Sequence, residues 1–421
     1  MSFETISVVG LGYIGLPTAA MFASRKKKVI GVDVNQHAVD TINRGEIHIV
    51  EPDLDMIVHA AVTEGYLKAV TQPEPADAFL IAVPTPFKSC KEGEIPEPDL
   101  SYIESAAKAI APVLKKGDLV ILESTSPVGA TEQMAIWLAE LRSDLLFPQN
   151  VDSESDINIA HCPERVLPGH VVRELVENDR VIGGISQYCS ERSVELYKTF
   201  VKGECFITNA RTAEMAKLTE NSCRDVQIAF ANELSIICDN LDIDVWELIS
   251  LANRHPRINI LQPGPGVGGH CIAVDPWFIV SKTPSKARLI RTARQVNDAK
   301  PEWVVDKVKI AIADFLQMSP NKTIKDVTLA CYGLAFKPDI DDLRESPALD
   351  IVIKLSREHQ GRILVVEPNI NTLPDFVRGV ELTDFGTAVE VADVQLLLVD
   401  HKEFKGVEAV RGLVVDTKGI W

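Results

Sequence analysis

The chain has 421 residues, 46% hydrophobic and 24% charged, a globular composition in a length that suits two or three domains. Its formal net charge of -17 gives no basic stripe for a nucleic acid, so none is expected as a partner, and no apolar run is long enough to cross a bilayer, so no membrane is expected either. Cys90, Cys162, Cys189, Cys205, Cys223, Cys238, Cys271 and Cys331 contain no C-x-x-C pair and the nine histidines form no ligand constellation, so no metal is expected. The opening Met1 to Thr5 carries an early acid and reads unlike a secretory leader; the expectation is a reduced, cytoplasmic protein.

In chain order, Ile6 to Gly10 is a short apolar strand, followed by a helix from about Ile14. Lys28 to Val34 is the next strand, with a helix through Arg44. Phe79 to Val83 and Leu119 to Glu123 are strands ending in the turns Pro84-Thr85-Pro86 and Ser124-Thr125-Ser126-Pro127. Ile157 to His161, Val181 to Gly183 and Cys205 to Ile207 read as later strands. Phe87 to Pro98, rich in Lys, Glu, Gly and Pro, is expected to be a mobile surface loop. This alternation predicts a parallel doubly wound sheet.

From about Ala210 the period becomes helical. Ala213 to Cys238 predicts one long helix and Val245 to Asn253 a second. Lys286 to Leu316 is mostly helical, with Pro301 expected to kink or divide it. Strands return at Val327 to Gly333, Ile363 to Glu367 and Leu396 to Val399, after a linker at Ser319 to Lys325. The expected division is therefore residues 1–209, 210–318 and 319–421: an α/β lobe, a helical spine and a second nucleotide-type lobe with a different ligand.

Gly10-Leu11-Gly12-Tyr13-Ile14-Gly15 follows a strand and opens a helix. Its glycines permit a tight turn, close pyrophosphate approach and close helix packing, with the phosphate on the helix N-terminus. Asp33, at the end of the second strand, suits the adenosine ribose hydroxyls and repels a 2′-phosphate, which predicts NAD over NADP. FAD or a decayed site are the alternatives. The fold expected is α/β, two Rossmann-like doubly wound lobes joined by a long central helical spine.

Cys271 lies in Gly264-Pro265-Gly266-Val267-Gly268-Gly269-His270-Cys271, just before an expected helix start. A helix N-terminus favours the nucleophilic thiolate, although a cysteine by itself is more commonly a small buried hydrophobe. Asp275, four residues on, can share its face. Glu214, Lys217 and Asn221 fall at i, i+3 and i+7 on the long helix; Lys217 can relay a proton and Asn221 can donate to an oxyanion, or all three can form a solvated face. Ser124 and Thr125, and Cys162-Pro163-Glu164-Arg165, stand at strand carboxyl ends, where ligands bind and where Glu164 can activate a water; ordinary turn chemistry is the alternative. Arg254-His255-Pro256-Arg257 is a cationic cluster suited to a diphosphate or, equally, a surface loop.

Together these segments resemble the UDP-glucose/GDP-mannose dehydrogenase family along essentially the whole chain. The resemblance rests on Gly10 to Pro17, Glu123-Ser124-Thr125, Pro163-Glu164, the Lys217 to Asn221 helix, Gly268-Gly269-His270-Cys271 with Asp275, and Phe336-Lys337 with Arg344-Glu345-Ser346. It implies a four-electron oxidation at C6 of a nucleotide sugar consuming two NAD+, through a thiohemiacetal and a thioester on the cysteine. By position Cys271 matches the nucleophile, Lys217 and Asp275 the proton and oxyanion pair, Asn221 an oxyanion donor, and Glu164 with Thr125 the groups around the hydrolytic water. The cofactor contacts implied are Gly10, Gly12, Tyr13, Ile14, Gly15, Asp33, Pro84, Thr85, Ser124 and Thr125. The substrate contacts implied are Glu164, Arg165, Val166, Lys217, Asn221, Gly264, Gly268, Phe336, Lys337 and Arg344. Arg257 matches an arginine that reaches a neighbouring subunit's UDP-sugar, which implies a homodimer with packed spine helices. His270 stands where UDP-glucose enzymes usually carry serine, which points to an N-acetylated sugar. The same chemistry on UDP-GlcNAc, UDP-glucose or GDP-mannose is the near rival, and a two-electron hydroxyacid-type dehydrogenase and an NAD-responsive binding protein are the competing classes.

Overall fold

The computed structural model describes residues 3–91, 93–150, 155–167, 169–269, 271–407 and 411–421. Two compact units divide the chain: residues 1–220 with 281–283, and residues 221–280 with 284–421. Among the described residues no helix is long and apolar enough to cross a membrane.

The first unit opens with β1 (Thr5–Val9), α1 (Gly15–Ser24), β2 (Lys28–Val32), α2 (Gln36–Asn43), α3 (Leu54–Thr63), β3 (Leu67–Val70) and β4 (Ala78–Ile81). It continues through α4 (Ser101–Ile110), β5 (Leu119–Leu122), α5 (Ala130–Leu141), β6 (Asn158–His161), α6 (Val171–Glu177), β7 (Arg180–Gly184), α7 (Gln187–Tyr197) and β8 (Cys205–Asn209). The sheet order is β3-β2-β1-β4-β5-β6-β7-β8, parallel throughout except for an antiparallel β6–β7 pair. The central strands β4, β5 and β6 are short runs buried on both faces, as a sheet covered by helices on each side requires, whereas the edge strand β8 is largely exposed. One face packs around Leu16, Phe22, Ile121, Cys162 and Tyr197, and the other around Phe79, Ile110, Leu122, Met134 and Phe147. Asn35 caps α2 and Ser186 caps α7 through side-chain oxygens.

α8 (Ala210–Asn240) is one long helix, and the division between units falls within it. The second unit holds α9 (Val245–Ala252), α10 (Asp275–Lys282), α11 (Arg288–Met318), β9 (Leu329–Tyr332), α12 (Pro347–Glu358) and β10 (Ile363–Val366). β11 (Glu381–Leu382), α13 (Phe385–Val391), β12 (Val394–Leu397) and β13 (Leu413–Asp416) complete it. Its sheet order, β11-β10-β9-β12-β13, is all parallel and repeats the first five strands of the other sheet. The expected α/β class with two doubly wound sheets holds.

Three details depart from the sequence expectations. β3, β11 and β13 were not foreseen; β11 has only two residues and β3 carries a lysine in its middle. Pro301 does not divide α11, which runs as one helix with Asn297, Lys300, Val304 and Val305 buried around it; tertiary packing outweighs the lost backbone bond there. Residues 87–98 form an exposed excursion closed at its base by a Phe87–Pro98 bridge and the Lys88 amide on the Glu97 carbonyl at 2.8 Å.

Candidate active site

The turn between β1 and α1 has glycines for three separate reasons. Gly10 sits at φ 92°, and a Cβ there would lie 2.6 Å from the Ala82 carbonyl oxygen. A Cβ on Gly15 would lie 1.7 Å from the Gly10 carbonyl oxygen. At Gly12 a Cβ would meet no described atom within 4 Å, so that glycine leaves open space at the turn. Ile14, the residue capping α1, gives no side-chain hydrogen bond, so the positive end of the α1 dipole carries no side-chain cap at the turn where an anion is favoured. This arrangement fits a dinucleotide pyrophosphate. Asp33 accepts the Leu11 amide on one carboxylate oxygen and the Asn35 amide on the other, both at 2.9 Å. The acid thus pins the glycine turn, and each oxygen keeps a further lone pair for a ribose hydroxyl. Tyr13 is exposed beside this turn.

The carboxyl ends of β4 and β5 are laced together. Ser124 Oγ donates to the Val83 carbonyl and Thr85 Oγ1 to the Thr125 carbonyl, each at 2.6 Å. Pro84 is exposed and Thr125 half-buried. These segments flank the point where strand order reverses between β1 and β4, the place where such sheets bind ligands.

Glu164, beyond β6, is more enclosed than a turn acid would be. It is buried, and Arg180 Nη1 donates to its Oε2 at 2.6 Å while the Arg165 amide donates to its Oε1 at 2.7 Å. The Arg165 guanidinium pairs with Glu220 at 2.6 Å, and the Val166 side chain packs on the core. Arg180 went unnoticed in the sequence; its signal was a cation opening an otherwise apolar strand.

The face shared by Glu214, Lys217 and Asn221 divides its labour. Glu214 is buried and accepts the Gly129 amide at 2.7 Å, the Thr131 amide at 2.8 Å and the Thr131 hydroxyl at 2.7 Å. It therefore caps α5 from α8, where Gly129 offers no side chain, and burial pushes its carboxyl up. It is a structural acid, which corrects the solvated-face reading. Lys217 is half-buried.

In the second unit Asn221 Nδ2 donates to Asp275 Oδ2 at 2.5 Å. Asp275 is buried at the start of α10, and its amide bonds the Cys271 carbonyl at 2.9 Å. Cys271 is exposed, on a tight turn one step ahead of that helix. The structure thus puts an exposed cysteine one turn ahead of a buried carboxylate that Asn221 holds. The neighbouring His270 lies outside the described residues.

The glycine loop before Cys271 is held by a buried polar network that sequence reasoning missed. The Gly264 amide donates to Asn232 Oδ1 at 2.9 Å, and Asn232 Nδ2 donates to Asn297 Oδ1 at 2.9 Å. Asn297 Nδ2 in turn donates to Asp225 Oδ1 at 2.8 Å, and Arg294 Nη1 bonds the same oxygen at 2.6 Å. Polar residues breaking the apolar period of α8 and α11 were the available signal. Further along the loop, a Cβ on Gly268 would lie 2.3 Å from the Glu345 carbonyl and 3.0 Å from Phe336 Cβ, so that glycine admits the 336–347 turn. Lys337 is half-buried there, and exposed Arg344 forms a two-point pair with Asp342 at 2.8 and 2.6 Å. Glu367, at the end of β10, accepts the Leu334 amide at 2.7 Å, the same device that Asp33 uses in the other sheet. Arg257 is exposed in a loop whose base Asn253 closes by bonding both the Ile260 amide, at 2.7 Å, and its carbonyl, at 2.9 Å.

Two doubly wound sheets, a glycine cradle and an acid closing the second strand define a dinucleotide-dependent oxidoreductase. Domain profiles of the UDP-glucose/GDP-mannose dehydrogenase family match the chain in order: the NAD binding domain over residues 4–201, the central domain over 211–299 and the UDP binding domain over 330–421. A UDP-N-acetyl-D-mannosamine dehydrogenase of Yersinia pestis is 68% identical, covering 100% of both chains. An NDP-N-acetyl-D-galactosaminuronic acid dehydrogenase of Ralstonia solanacearum is 64% identical, covering 100% of this chain and 97% of its own. The solved UDP-D-ManNAc dehydrogenase of Pyrococcus horikoshii superposes with TM-score 0.86 at 38% identity, covering 99% of this chain and 96% of its own. The chain belongs to the UDP-glucose/GDP-mannose dehydrogenase family. It is an NAD-dependent nucleotide-sugar dehydrogenase with a UDP-sugar substrate.

Proposed function

We propose that the enzyme oxidises UDP-N-acetyl-D-mannosamine at C6 to UDP-N-acetyl-D-mannosaminuronate, with Cys271 carrying the half-oxidised sugar. When bound, NAD supplies the hydride acceptor for both oxidations. The Cys271 thiolate adds to the C6 aldehyde to give a thiohemiacetal, and loss of the second hydride leaves a thioester that water cleaves to the carboxylate and the free thiol. Covalent capture keeps C6 in place between the two oxidations. Asn221 and Lys217 stabilise the oxyanion, Asp275 orders Asn221 and handles protons, and Glu164 with Thr125 directs the hydrolytic water.

We assign residues 1–209 to the NAD domain, 210–318 to the central helical domain and 319–421 to the UDP domain. Pro84, Thr85 and Ser124 line the cofactor crevice. Arg165, Val166, Gly264, Gly268, Phe336, Lys337 and Arg344 border the sugar nucleotide. The enzyme works as a homodimer: Phe230, Ile237 and Leu241 on and after α8, and Leu251 on α9, leave large apolar side chains exposed, and Arg257 projects from the adjoining loop toward a partner's substrate. All eight cysteines lie outside disulfides, which supports a cytoplasmic setting.

Full-length identity of 68% to the Yersinia enzyme carries the choice of sugar; the 64% identity to the Ralstonia enzyme favours an N-acetylgalactosamine nucleotide as the second reading. Purified protein incubated with NAD+ and the UDP forms of ManNAc, GalNAc, GlcNAc and glucose decides it. The expected result is acid from UDP-ManNAc with two NADH per sugar; acid from UDP-GalNAc alone, or one NADH per sugar, overturns the proposal. Sedimentation of the same preparation reads the dimer.

Asp33 is expected to set cofactor choice. Asp33→Ala raises the kcat/KM ratio for NADP+ over NAD+ by about tenfold, the ratio that ~1.4 kcal/mol of lost repulsion sets. An unchanged ratio means the ribose is read elsewhere.

A further inference from the structure

The first unit holds a closed file of ionisable side chains that the proposed chemistry does not account for. Glu123 follows β5 and continues the inward row of Leu119 and Ile121 into the apolar core. It is 1% exposed, and Tyr197 is fully buried with its hydroxyl donating to Glu123 Oε1 at 2.6 Å. The other carboxylate oxygen, Oε2, is buried without a hydrogen-bond partner among the described residues. The Arg180 guanidinium lies 5.1 Å from the centre of the Tyr197 ring. Its Nη1 holds Glu164 at 2.6 Å, its Nη2 bonds the Leu175 carbonyl at 3.3 Å, and its Nε is buried without a partner among the described residues. One guanidinium therefore binds Glu164 directly and faces the ring whose hydroxyl holds Glu123, in a water-poor core.

We infer that Glu123 is a positioning residue for Glu164: by competing for the charge of Arg180, its ionisation state sets how firmly that guanidinium holds Glu164 beside the hydrolytic water. This inference rests on the role given to Glu164 above. Burial is the main force on Glu123, the Glu164 charge adds to it, and the Arg180 charge and the Tyr197 hydrogen bond oppose; its carboxyl is pushed up to about 7. The other groups facing it do not titrate in that range. Burial pushes the Cys162 thiol up to about 12, Tyr197 well above its ordinary value, and Arg180 stays charged. Strand alternation sends His161 to the opposite face of β6, and burial holds it neutral, down to about 3.

The sign follows. Below neutral pH Glu123 keeps its proton, Arg180 serves Glu164 alone, and Glu164 is held tightly by the guanidinium. Above neutral pH Glu123 is ionised and draws on the charge of Arg180, and the hold on Glu164 loosens, so thioester hydrolysis quickens. No proton passes through Arg180; the coupling is electrostatic.

The test compares wild type, Glu123→Gln, Tyr197→Phe and Glu164→Gln across pH ~6–9, the range that brackets a carboxyl raised to neutrality. Acid release and the fraction of Cys271 held as thioester during turnover, read by quenched intact mass, are followed with NAD+ and the UDP-sugar. Glu123→Gln is expected to flatten the pH dependence of thioester occupancy and hold it high, with the sugar KM changed less than about twofold, within the scatter of a neutral substitution. Tyr197→Phe removes a contact that holds the Glu123 carboxyl down, so its profile moves to higher pH; it decides the matter alone if Glu123→Gln does not fold. A Glu123→Gln or Tyr197→Phe profile that superposes on wild type overturns the inference, whatever Glu164→Gln does. Glu164→Gln without thioester accumulation overturns the underlying role of Glu164 instead.

Discussion

Cys271→Ser stops acid formation: turnover to the uronate falls by about a thousandfold or more, the scale set by removing a covalent nucleophile, while NAD+ binding is unchanged. The reason is the contrast between sulfur and oxygen at one site. A thiol ionises near neutral pH when supported, attacks an aldehyde readily and leaves a labile thioester; a hydroxyl does none of these well. The proposed role has a fixed backbone to act from. The Cys271 carbonyl takes the amides of Val274 at 3.1 Å and Asp275 at 2.9 Å, and Asp275 is tethered by Asn221. Cys90 and Cys223 are exposed but lack such a setting, so Cys90→Ser and Cys223→Ser keep activity within about twofold, as surface changes usually do. The measurement is chromatographic quantitation of the uronate beside NADH fluorescence titration. Wild-type acid yield from Cys271→Ser, or an equal loss in the control variants, would remove the thioester from the mechanism.

What could be seen in the sequence was whatever depends on a few neighbouring residues. The three glycines of residues 10–15 require nothing beyond their own turn and the strand before it, and the alternation of short apolar runs with helical periods dictates a doubly wound sheet. Cys271 and Asp275 share a local turn, so their relation was visible too. The parts that stayed hidden join residues far apart. Glu214 looks like one member of a polar stripe until Gly129, 85 residues away, is seen to need its carboxylate. Glu164 looks like a turn acid until Arg180, on the other side of a surface helix, closes on it. Pro301 reads as a breaker because local rules carry no information on the packing around α11. In each case a buried polar partner contributed by tertiary structure changes the meaning of a residue whose own neighbourhood is unremarkable.

Asp225→Ala is expected to destabilise the second unit by about 3 kcal/mol, the lower end of the cost of leaving a buried charge without its partner. Asp225 and Arg294 are both essentially buried, 0% and 2% exposed, and among the described residues Arg294 keeps as acidic partner only Asp298, which is half-exposed, once Asp225 is gone. At ~2–4 °C per kcal/mol for a domain of this size, the melting temperature falls by about 6–12 °C. The same carboxylate also receives Asn297 Nδ2 at 2.8 Å, and Asn297 holds Asn232, which holds the Gly264 amide. Loosening it therefore frees the loop that presents Cys271, so the sugar KM rises while NAD+ binding, which belongs to the other unit, does not move. Burial pushes the Asp225 carboxyl up in spite of the adjacent guanidinium. Desolvation thus outweighs the attraction, and the pair fixes geometry more than it adds stability. The matched apolar replacement Asp225→Leu with Arg294→Met is accordingly expected to recover most of the melting temperature yet leave the sugar KM elevated. Thermal denaturation and sugar KM, measured for the single and double variants, separate these effects; recovery of both together would show that the network does no more than hold the helices.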